Sequence, residues 1–451
     1  MRTAPRIPLL LAVLALLLAV GAPPAVAAAI RVQSTTDTID AGLKDDLLVP
    51  MYRKAQPGDT LRYVGVGSGK ALDNARAGLA DVVITHAPSL EARFVAGGFS
   101  HEPFGRALFS SDYVIVGPDD DPARVATVAP HDAVRAFEVI AAAGGSGHAA
   151  DFISRGDDSG TNVQEQLMWG LTRTVPKAPA FNRGDDTARS EPGSHAATAP
   201  WYHRTNVGQA ANLNQAAACA FTSGRCYTIV DRGTFNRARL AGTIPNLRIV
   251  SQHNDPSARG GDNLLLNPFH AYIVEPLAVK AGPPVDIAAA TRFVDFLTSP
   301  AFQGAVATYP SAADPAFHPD AFPLLTVSTP PPATARRGTA ITLGANVTNR
   351  LPPQDPVAGI PVRLQRSTDD GATWSDVGGP VATDAAGHVV FTTTVGATTR
   401  YRIATPRHRD LSPTSRSLGA VTVGRPRAAG LPAGLFPWSA ASHIRRAARS
   451  A

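Results

Sequence analysis

The chain has 451 residues, enough for two or three domains, and its formal net charge of +6 is modest. Its basic residues are scattered, without a block rich in Lys and Arg and interleaved with aromatic residues, which argues against a nucleic-acid-binding protein. The spacings typical of metal sites, nucleotide-binding loops and Ser-His-Asp hydrolases do not stand out. We therefore expect neither an enzyme nor a bound cofactor or metal.

The N-terminus has the three parts of a secretory signal. Arg2 and Arg6 form a basic start, an apolar core follows over residues 7–20, and Ala-Val-Ala at 25–27 is an A-x-A cleavage site. The apolar core is too short for a comfortable membrane span. We predict a signal peptide over residues 1–27 and a secreted, extracellular or cell-surface protein. A lipid anchor is not expected, because no Cys lies at the cleavage site.

From residue 30 to about residue 320, short apolar strands alternate with helical stretches. The predicted strands cover residues 30–32, 61–66, 82–84, 113–116, 152–153, 227–230 and 271–274. The predicted helices cover residues 39–52, 133–143, 162–169 and 288–297, and a further helix follows Gly-Ser-Gly at 67–69 and extends through residue 76. This alternation predicts an α/β fold with mainly parallel sheets. Ligands of such sheets bind at the carboxyl ends of the strands.

One polar segment and two cysteines lie within this region. Residues 182–200 are rich in Gly and Ser, which predicts a mobile insertion on the surface. Cys219 and Cys226 are the cysteines of the chain, and in an exported protein two nearby cysteines predict one disulfide. Two free thiols are the alternative, while a metal site would need more ligands than these.

After the run Thr-Pro-Pro-Pro at 329–332 the pattern changes to period two. Apolar and polar residues alternate at 341–347, 362–364, 389–395 and 401–403, with turn sequences at 369–371 and 384–387. Short strands separated in this way predict an immunoglobulin-like β-sandwich over residues 326–424, with Trp374 in its core rather than on a binding surface. The tail, 425–451, is rich in Ala, Pro and Arg and is predicted to be disordered.

The segment 154–161, Ser-Arg-Gly-Asp-Asp-Ser-Gly-Thr, concentrates groups that bind anions. It leads from a strand-like stretch into a helix-like one, so its backbone N–H groups would lie at the positive end of a helix. Arg155 adds a planar fork suited to an oxyanion, and Ser159 and Thr161 add hydroxyl donors. The alternative is an ordinary turn with Ser or Thr as helix cap.

Several ordered runs together resemble the extracellular solute-binding proteins of tungstate and molybdate ABC transporters. The runs are STTDTIDAGL at 34–43, VGVGSGKAL at 64–72, DVVITHAP at 81–88, DYVIVGP at 112–118, the loop at 154–161 and YTIVDRGT at 227–234, and NPF at 267–269 fits a seventh. Their order and spacing match over about 290 residues. The resemblance does not reach the predicted sandwich.

The resemblance implies the bilobal type II periplasmic-binding-protein fold. One lobe would cover residues 28–114 and 270–325, the other 115–269, with hinges near 114–118 and 267–272. An oxyanion would lie between the lobes, held on all sides by hydrogen bonds because a buried dianion is otherwise very costly. Carried over position by position, the ligands would be Thr35, Thr36, Thr38, Arg155, Ser159 and Thr161, with Ser68 as a further candidate.

Two departures from the family pattern affect the expected ligand. Asp37 stands where the family usually has Ser, and Asn-Val-Gly at 206–208 stands where it usually has a Gly-Met-Gly-like segment. An ionised Asp37 would repel tungstate but could accept a hydrogen bond from a protonated ligand such as hydrogen phosphate. It could instead point away and cap the following helix, which is the interpretation we favour at this point.

Three further positions have both a functional and a structural interpretation. His86 follows a strand and could face the cleft, although a structural role is favoured. Asp231 and Arg232 would form an ion pair or support the hinge side of the cleft. Asp157 and Asp158 resemble paired catalytic carboxylates, but adjacent side chains usually point apart, and Asp157 can hold Arg155 in place.

The sequence therefore favours a monomeric protein that captures a tetrahedral oxyanion, first tungstate or molybdate, for an ABC transporter permease. Phosphate is the alternative within the binding class. A cell-envelope adhesion or interaction protein, with the bilobal domain as scaffold, is the alternative from another class. The sandwich would then bind a cell-envelope partner.

Overall fold

The computed structural model describes residues 28–179 and 189–424. The predicted signal peptide, the stretch 180–188 and the predicted tail lie outside the described residues, and what we expect of them stays a prediction. None of the helices in the described part of the chain combines the length and apolar character that a membrane crossing requires.

Eleven α-helices are distributed over the described residues before position 307. They are α1 Thr36–Asp40, α2 Val49–Ala55, α3 Ser68–Arg76, α4 Pro88–Ala96, α5 Val125–Val128, α6 Ala133–Gly145, α7 Gly160–Leu171, α8 Gln209–Ala218, α9 Arg232–Leu240, α10 Ile287–Leu297 and α11 Pro300–Val306. Helix α10 illustrates why they form: Asp286 caps its N-terminus, and Phe293 and Leu297, four residues apart, face the core.

The strands before residue 320 form one large twisted sheet and a small hairpin. They are β1 Ala29–Thr35, β2 Thr60–Val66, β3 Val82–Thr85, β4 Arg106–Pro118, β5 Asp151–Ser154, β6 Lys177–Pro179, β7 Ser190–Pro192, β8 Tyr202–Arg204, β9 Cys226–Asp231, β10 Leu247–Ser251, β11 Leu266–Ile273 and β12 His318–Pro319. The order in the large sheet is β2-β1-β3-β11-β4-β9-β5-β8, with β10 and β12 also paired to β4.

Two lobes share the long strand β4. Its first half places Phe109 in a core with Val32 and Phe293, and its second half places Ile115 in a separate core with Phe152. The chain thus passes between the cores at residues 110–112, and β11 returns beside it at residues 266–268. The hinge expected near 114–118 lies a few residues after this passage, in a part of β4 where Val114 and Val116 are already buried in the second lobe.

The sheet is mixed rather than mainly parallel, which corrects the prediction. β1 is parallel to β2 and β3, and β5 is parallel to β8 and β9. The strands that connect the lobes are antiparallel: β4 pairs in this sense with β9, β10, β11 and β12. Two passages in opposite directions between two lobes place antiparallel neighbours at the centre of the sheet, which strand–helix alternation alone does not indicate.

The helix predicted over 39–52 is interrupted. Helix α1 ends at Asp40, Gly42 takes a φ of +83°, and a π-helical turn over Lys44–Leu48 precedes α2. A left-handed glycine at this position ends a helix at low cost. The short α1 is thereby separated from the amphipathic segment that covers the first core.

The predicted surface insertion is wrong at residues 190–192, although residues 194–197 are exposed as expected. Ser190–Pro192 forms strand β7, pairs with β6 and is buried. Within β7, Glu191 forms a bidentate ion pair with Arg204. Because its charge is paired in this way, this polar segment can be buried. The predicted disulfide is confirmed: Cys219, at the end of α8, is bonded to Cys226 at the start of β9.

A β-sandwich follows the second core, as the period-two pattern predicts. Its strands are β13 Leu324–Thr329, β14 Thr334–Ala335, β15 Ala340–Thr348, β16 Pro361–Ser367, β17 Ser375–Asp376, β18 Val381–Ala382, β19 His388–Thr394, β20 Thr399–Thr405 and β21 Thr414–Val423. β13, β15 and β19 form one sheet and the others a second, around Leu343, Val362 and Tyr401.

Trp374 does not lie in that core, contrary to prediction. Its ring is half-buried under the guanidinium of Arg402, at 4.3 Å from the ring centroid. Its indole N–H donates to the carbonyl of Gly371, 3.0 Å away, within the turn that precedes β17. The ring therefore closes a surface turn.

Candidate anion-binding site

The residues of the candidate site lie where parallel strands end. Strand β1 ends at Thr35, β3 leads to His86, β5 leads to Arg155 and β9 ends at Asp231. Because the carboxyl ends of parallel strands lie on one edge of a sheet, these positions border one cleft between the lobes. The first turns of four helices contribute to the same region: Ser68 of α3 lies beside His86, Thr161 of α7 contacts Gln209 of α8, and Asp231 caps α9.

Arg155 is the cation of this cleft and is only 2% exposed. Its Nη2 donates to Oδ2 of Asp157 at 2.6 Å, and its Nη1 donates to Oε1 of Gln209 at 2.9 Å and to Oγ1 of Thr36 at 3.2 Å. Its Nε is buried and has no hydrogen-bond partner. Arg155 can therefore pair with Asp157 and face the cleft at the same time, since Nη2 makes the ion pair while Nη1 and Nε face the cleft.

The loop after β5 turns directly into helix α7. Ser159 is the N-cap: its Oγ accepts a hydrogen bond from the backbone N–H of Asn162 at 3.2 Å. Thr161 donates to Oε1 of Gln209 at 3.0 Å, the same oxygen that Arg155 contacts. The structural interpretation of Ser159 as a cap is confirmed, and Thr161 lies beside Arg155 as expected.

The hydroxyl groups of the first lobe have three different environments. Oγ1 of Thr35 is buried without a partner, and that of Thr36 accepts from Arg155. Thr38 instead donates to the carbonyl of Thr35 at 2.9 Å and contacts Ser34 and Tyr63. The structure therefore brings Thr36 to Arg155, leaves the buried hydroxyl of Thr35 unpaired, and places the hydroxyl of Thr38 in a network within its own lobe. Oγ of Ser68 lies 3.5 Å from the backbone N–H of His86.

His86 is part of the cleft, contrary to the favoured structural interpretation. Its side chain is fully buried, stacks on Phe269 with ring centroids 4.7 Å apart, and its Nδ1 lies 2.9 Å from the hydroxyl of Tyr113. Its Nε2 faces Oδ2 of Asp37 at 3.4 Å. Burial lowers the pKa of His86 to about 4, so the ring is neutral near pH 7 and can donate one N–H.

Asp37 faces the cleft and does not cap a helix. Thr35 is the N-cap of α1 and makes no side-chain cap bond, and the side chain of Asp37 is fully buried with Oδ1 3.7 Å from Nη1 of Arg155. Burial raises the pKa of Asp37 above its ordinary value, and the guanidinium of Arg155 only partly counteracts this. The capping interpretation is wrong because the short helix α1 turns this position inward.

Asp231 and Arg232 support the passage between the lobes, as one interpretation predicts. Asp231 caps α9 through the backbone N–H of Thr234 at 3.2 Å and accepts hydrogen bonds from Ser111 and Asn267. Arg232 pairs with Asp112, on the shared strand β4, at 2.6 Å rather than with its neighbour. Burial and the nearby carboxyl of Asp37 raise the pKa of Asp231.

Gln209 was missed in the sequence. It is the first residue of α8, it lies 1% exposed, and its Oε1 joins Arg155 to Thr161. The signal for it is the segment at 206–208, where this chain departs from the family pattern just before a helix. Asp157 and Asp158 point apart, toward Arg155 and Arg189, and do not form a catalytic pair.

Five buried polar atoms in this cleft have no hydrogen-bond partner among the described residues. They are Oγ1 of Thr35, Oδ2 of Asp37, Nε2 of His86, Nε of Arg155 and Nε2 of Gln209. Each such atom costs about 1–3 kcal/mol when it stays unpaired in the interior. Five together, beside converging helix N-termini, indicate a site built for a small polar ligand.

Direct contacts between the lobes surround the cleft. The backbone N–H of Gly69 donates to the carbonyl of Asp158 at 3.0 Å, and that of Ala210 donates to Oδ2 of Asp40 at 2.9 Å. Together with the contact of Arg155 to Thr36, these bonds join the two lobes around the site. The structure thus describes a closed arrangement of the lobes.

Comparison with known families agrees with this architecture. The model of the PBP superfamily domain matches residues 22–301. The chain belongs to the PBP superfamily. The family predicted from the ordered motifs is therefore confirmed, together with the bilobal α/β fold. The match ends before the β-sandwich, as the resemblance does.

Individual relatives cover the same part of the chain. The "Putative ABC transporter anion-binding protein" of Haloferax volcanii is 32% identical over 288 residues, 64% of this chain and 71% of the relative. The tungstate-binding protein TupA of Campylobacter jejuni is 28% identical over 278 residues, 61% and 86% respectively. Among solved structures, the tungstate-binding protein TupA of Desulfovibrio alaskensis is 30% identical, covering 65% of this chain and 99% of that one, with a TM-score of 0.46.

Proposed function

We propose that this protein binds one tetrahedral oxyanion in the cleft between its lobes, with tungstate or molybdate favoured, and delivers it outside the membrane to an ABC transporter permease. The single observation that supports this most strongly is Arg155, buried among hydroxyl groups and helix N-termini with its Nε unpaired. The names of the relatives, which are anion- and tungstate-binding proteins, point in the same direction.

The proposed ligands extend the set expected from the sequence. Thr35, Thr36, Ser68, Arg155, Ser159 and Thr161 are retained, and Gln209 and His86 are added as donors from Nε2. We assign Thr38 a supporting role, since its hydroxyl is held by Ser34 and Tyr63. Only Arg155 supplies formal charge in this set, and uncharged donors with helix N-termini supply the remaining bonds.

The β-sandwich is proposed to contact a partner in the cell envelope and to hold the binding domain there. It packs on the first lobe through a bidentate ion pair of Arg407 with Glu102 and through backbone bonds of Asp410 and Ser412. These contacts involve none of the proposed ligand residues. Anion binding is therefore expected to be independent of the sandwich.

Native mass spectrometry of the full chain against tungstate, molybdate, sulfate and phosphate tests the proposal. We expect one anion per chain, with tungstate or molybdate bound most tightly. A ligand present at 100 times its Kd should stabilise the fold by about 2.7 kcal/mol. No bound anion and no thermal shift with any of the four would overturn the proposal and favour a scaffold without a ligand.

A further inference from the structure

The buried carboxyl group of Asp37 is an unexpected feature of a site for anions. Its side chain is fully buried, and its Oδ2 makes no hydrogen bond although it lies 3.4 Å from Nε2 of His86. Oδ1 lies 3.7 Å from Nη1 of Arg155, the same nitrogen that contacts Thr36 and Gln209. Asp37 therefore shares the region in which the proposed ligand would contact Arg155.

An ionised carboxylate beside a bound dianion would be strongly repelled in a site without water. A proton between the two oxygens converts this repulsion into a charge-assisted hydrogen bond. We propose that the site binds its oxyanion together with one proton, shared between Oδ2 of Asp37 and an oxygen of the ligand. This inference rests on the proposed function and specifies the chemical form of the ligand.

The other charged and titratable groups around Asp37 either have hydrogen-bond partners or are uncharged near pH 7. They are Asp40 on the same helix, His86 after β3, Tyr113 on β4, Arg155 and Asp157 after β5, and Asp231 after β9. Asp157 is bound to Arg155, Asp40 accepts from Ala210, and Asp231 accepts from Ser111, Asn267 and Thr234. Burial keeps His86 neutral and raises the pKa of Tyr113, so both remain uncharged near pH 7.

The proton has a different source for different anions. A fully deprotonated anion such as tungstate or sulfate binds when a proton from solvent converts Asp37 to the acid, whose O–H then donates to the anion. An anion that carries a proton, such as hydrogen phosphate, donates its own O–H to the ionised carboxylate. Burial raises the pKa of Asp37, which favours the first case in the folded protein.

A distinct pH dependence follows for each class of anion. Above the raised pKa of Asp37, the affinity for tungstate or sulfate should fall by about tenfold per pH unit, because one proton must be taken up. The affinity for phosphate should depend less on pH over the same range. Sulfate and phosphate are similar in size, so their ratio isolates the effect of the proton.

Isothermal calorimetry of the full chain in buffers with different ionisation enthalpies counts the protons taken up. We expect wild type to take up close to one proton per tungstate at a pH above the pKa of Asp37. Asp37→Ser and Asp37→Asn should take up none and bind tungstate with nearly constant affinity across the same pH range. Asn has nearly the same shape as Asp but cannot take up a proton, so Asp37→Asn should retain the fold even if Asp37→Ser does not. His86→Gln is a second test rather than a control: it removes a proposed donor and should weaken binding, but it should keep the proton uptake of wild type.

The outcomes separate this inference from the proposed function. If wild type binds no oxyanion, the proposed function fails. If wild type binds tungstate without proton uptake, or if Asp37→Asn retains the uptake, the function stands and the assignment to Asp37 is overturned. Loss of uptake in His86→Gln alone would move the proton to the imidazole and would also overturn it.

Discussion

At the residue scale, the cleft combines one buried cation with several carboxyl groups. Arg155 is neutralised on one side by Asp157, while its Nε and the neighbouring donors of Gln209 and His86 lack partners. A cation held in this way keeps its orientation without losing all its donors. The same residue thus shapes the loop and faces the cleft, two roles that the sequence presents as alternatives.

Replacing Arg155 should separate these roles. Arg155→Ala removes charge-assisted hydrogen bonds worth about 1.5–3 kcal/mol, so anion affinity should fall at least about tenfold. Arg155→Lys should restore only part of the affinity, because an ammonium lacks the planar fork. Calorimetric titration with tungstate measures both variants. A lower melting temperature with affinity within about twofold of wild type would instead mean that Arg155 only shapes the turn.

At the element scale, two features constrain the molecule around the site. One is helix α8, and the other is the set of contacts of Arg407, Asp410 and Ser412 with the first lobe, which we call the joint between lobe and sandwich. Helix α8 begins with Gln209 at the cleft, and Cys219, directly after its last residue, is bonded to Cys226 and so ties the helix to β9. In the first lobe, the carboxylate of Glu102 accepts hydrogen bonds from Arg106 of the same lobe and from Arg407 of the sandwich. Neither constraint involves a proposed ligand residue.

The disulfide should stabilise the second lobe without affecting the ligand. Closing a loop with a sequence separation of seven residues contributes about 2–3 kcal/mol through the unfolded chain. The double variant Cys219→Ser/Cys226→Ser should lose about this much in urea unfolding and keep its tungstate affinity. Wild type treated with reductant is the matched control. A large loss of affinity in the double variant would show that the bond positions Gln209.

The joint between lobe and sandwich should weaken in acid. Burial alone would raise the pKa of Glu102, but the hydrogen bonds from Arg407 and Arg106 outweigh it and hold the pKa at about 2. Because the pKa of Glu102 is lower in the folded protein than its ordinary value of 4.5, the ionised carboxyl group stabilises the fold at pH values above 4.5. This contribution is lost as the pH falls toward 2.

Glu102→Gln should mimic that loss at neutral pH. Since Arg407 is about a third exposed, we expect about 1 kcal/mol or less, seen as faster hydrogen exchange over residues 406–411. Asp376→Asn, which breaks the exposed pair with Arg363 inside the sandwich, is the control and should leave that exchange unchanged. Equal exchange in both variants would argue that backbone bonds alone hold the joint.

At the scale of the whole molecule, function depends on how closely the lobes approach. An ideal Cβ at Gly69 would lie 2.5 Å from Oδ2 and 2.9 Å from the carbonyl oxygen of Asp158, in the opposite lobe. These distances leave no room for a side chain in the closed arrangement. The glycine is thus required by the contact between lobes and not by its own helix.

Gly69→Ala should impair closure and leave the separate lobes intact. Alanine favours helix α3, but its methyl group meets backbone of the other lobe, at about 1–3 kcal/mol, so tungstate affinity should fall by about tenfold. Small-angle scattering with ligand should show a more open molecule. Gly145→Ala in α6, whose Cβ meets nothing within 4 Å, is the control and should bind normally. Unchanged affinity of Gly69→Ala would mean that binding does not need this contact.

The sequence by itself determined the bilobal α/β class, the sandwich, the disulfide and the position of Arg155, because each has a local signal in periodicity, spacing or an ordered motif. Only the tertiary structure decided the mixed sheet, the burial of Ser190–Pro192 and the inward direction of Asp37. It also brought His86 and Gln209, 123 positions apart, to the same cleft. Such features depend on which distant strands end side by side, and the energy of a buried polar group is set by those neighbours rather than by its own segment.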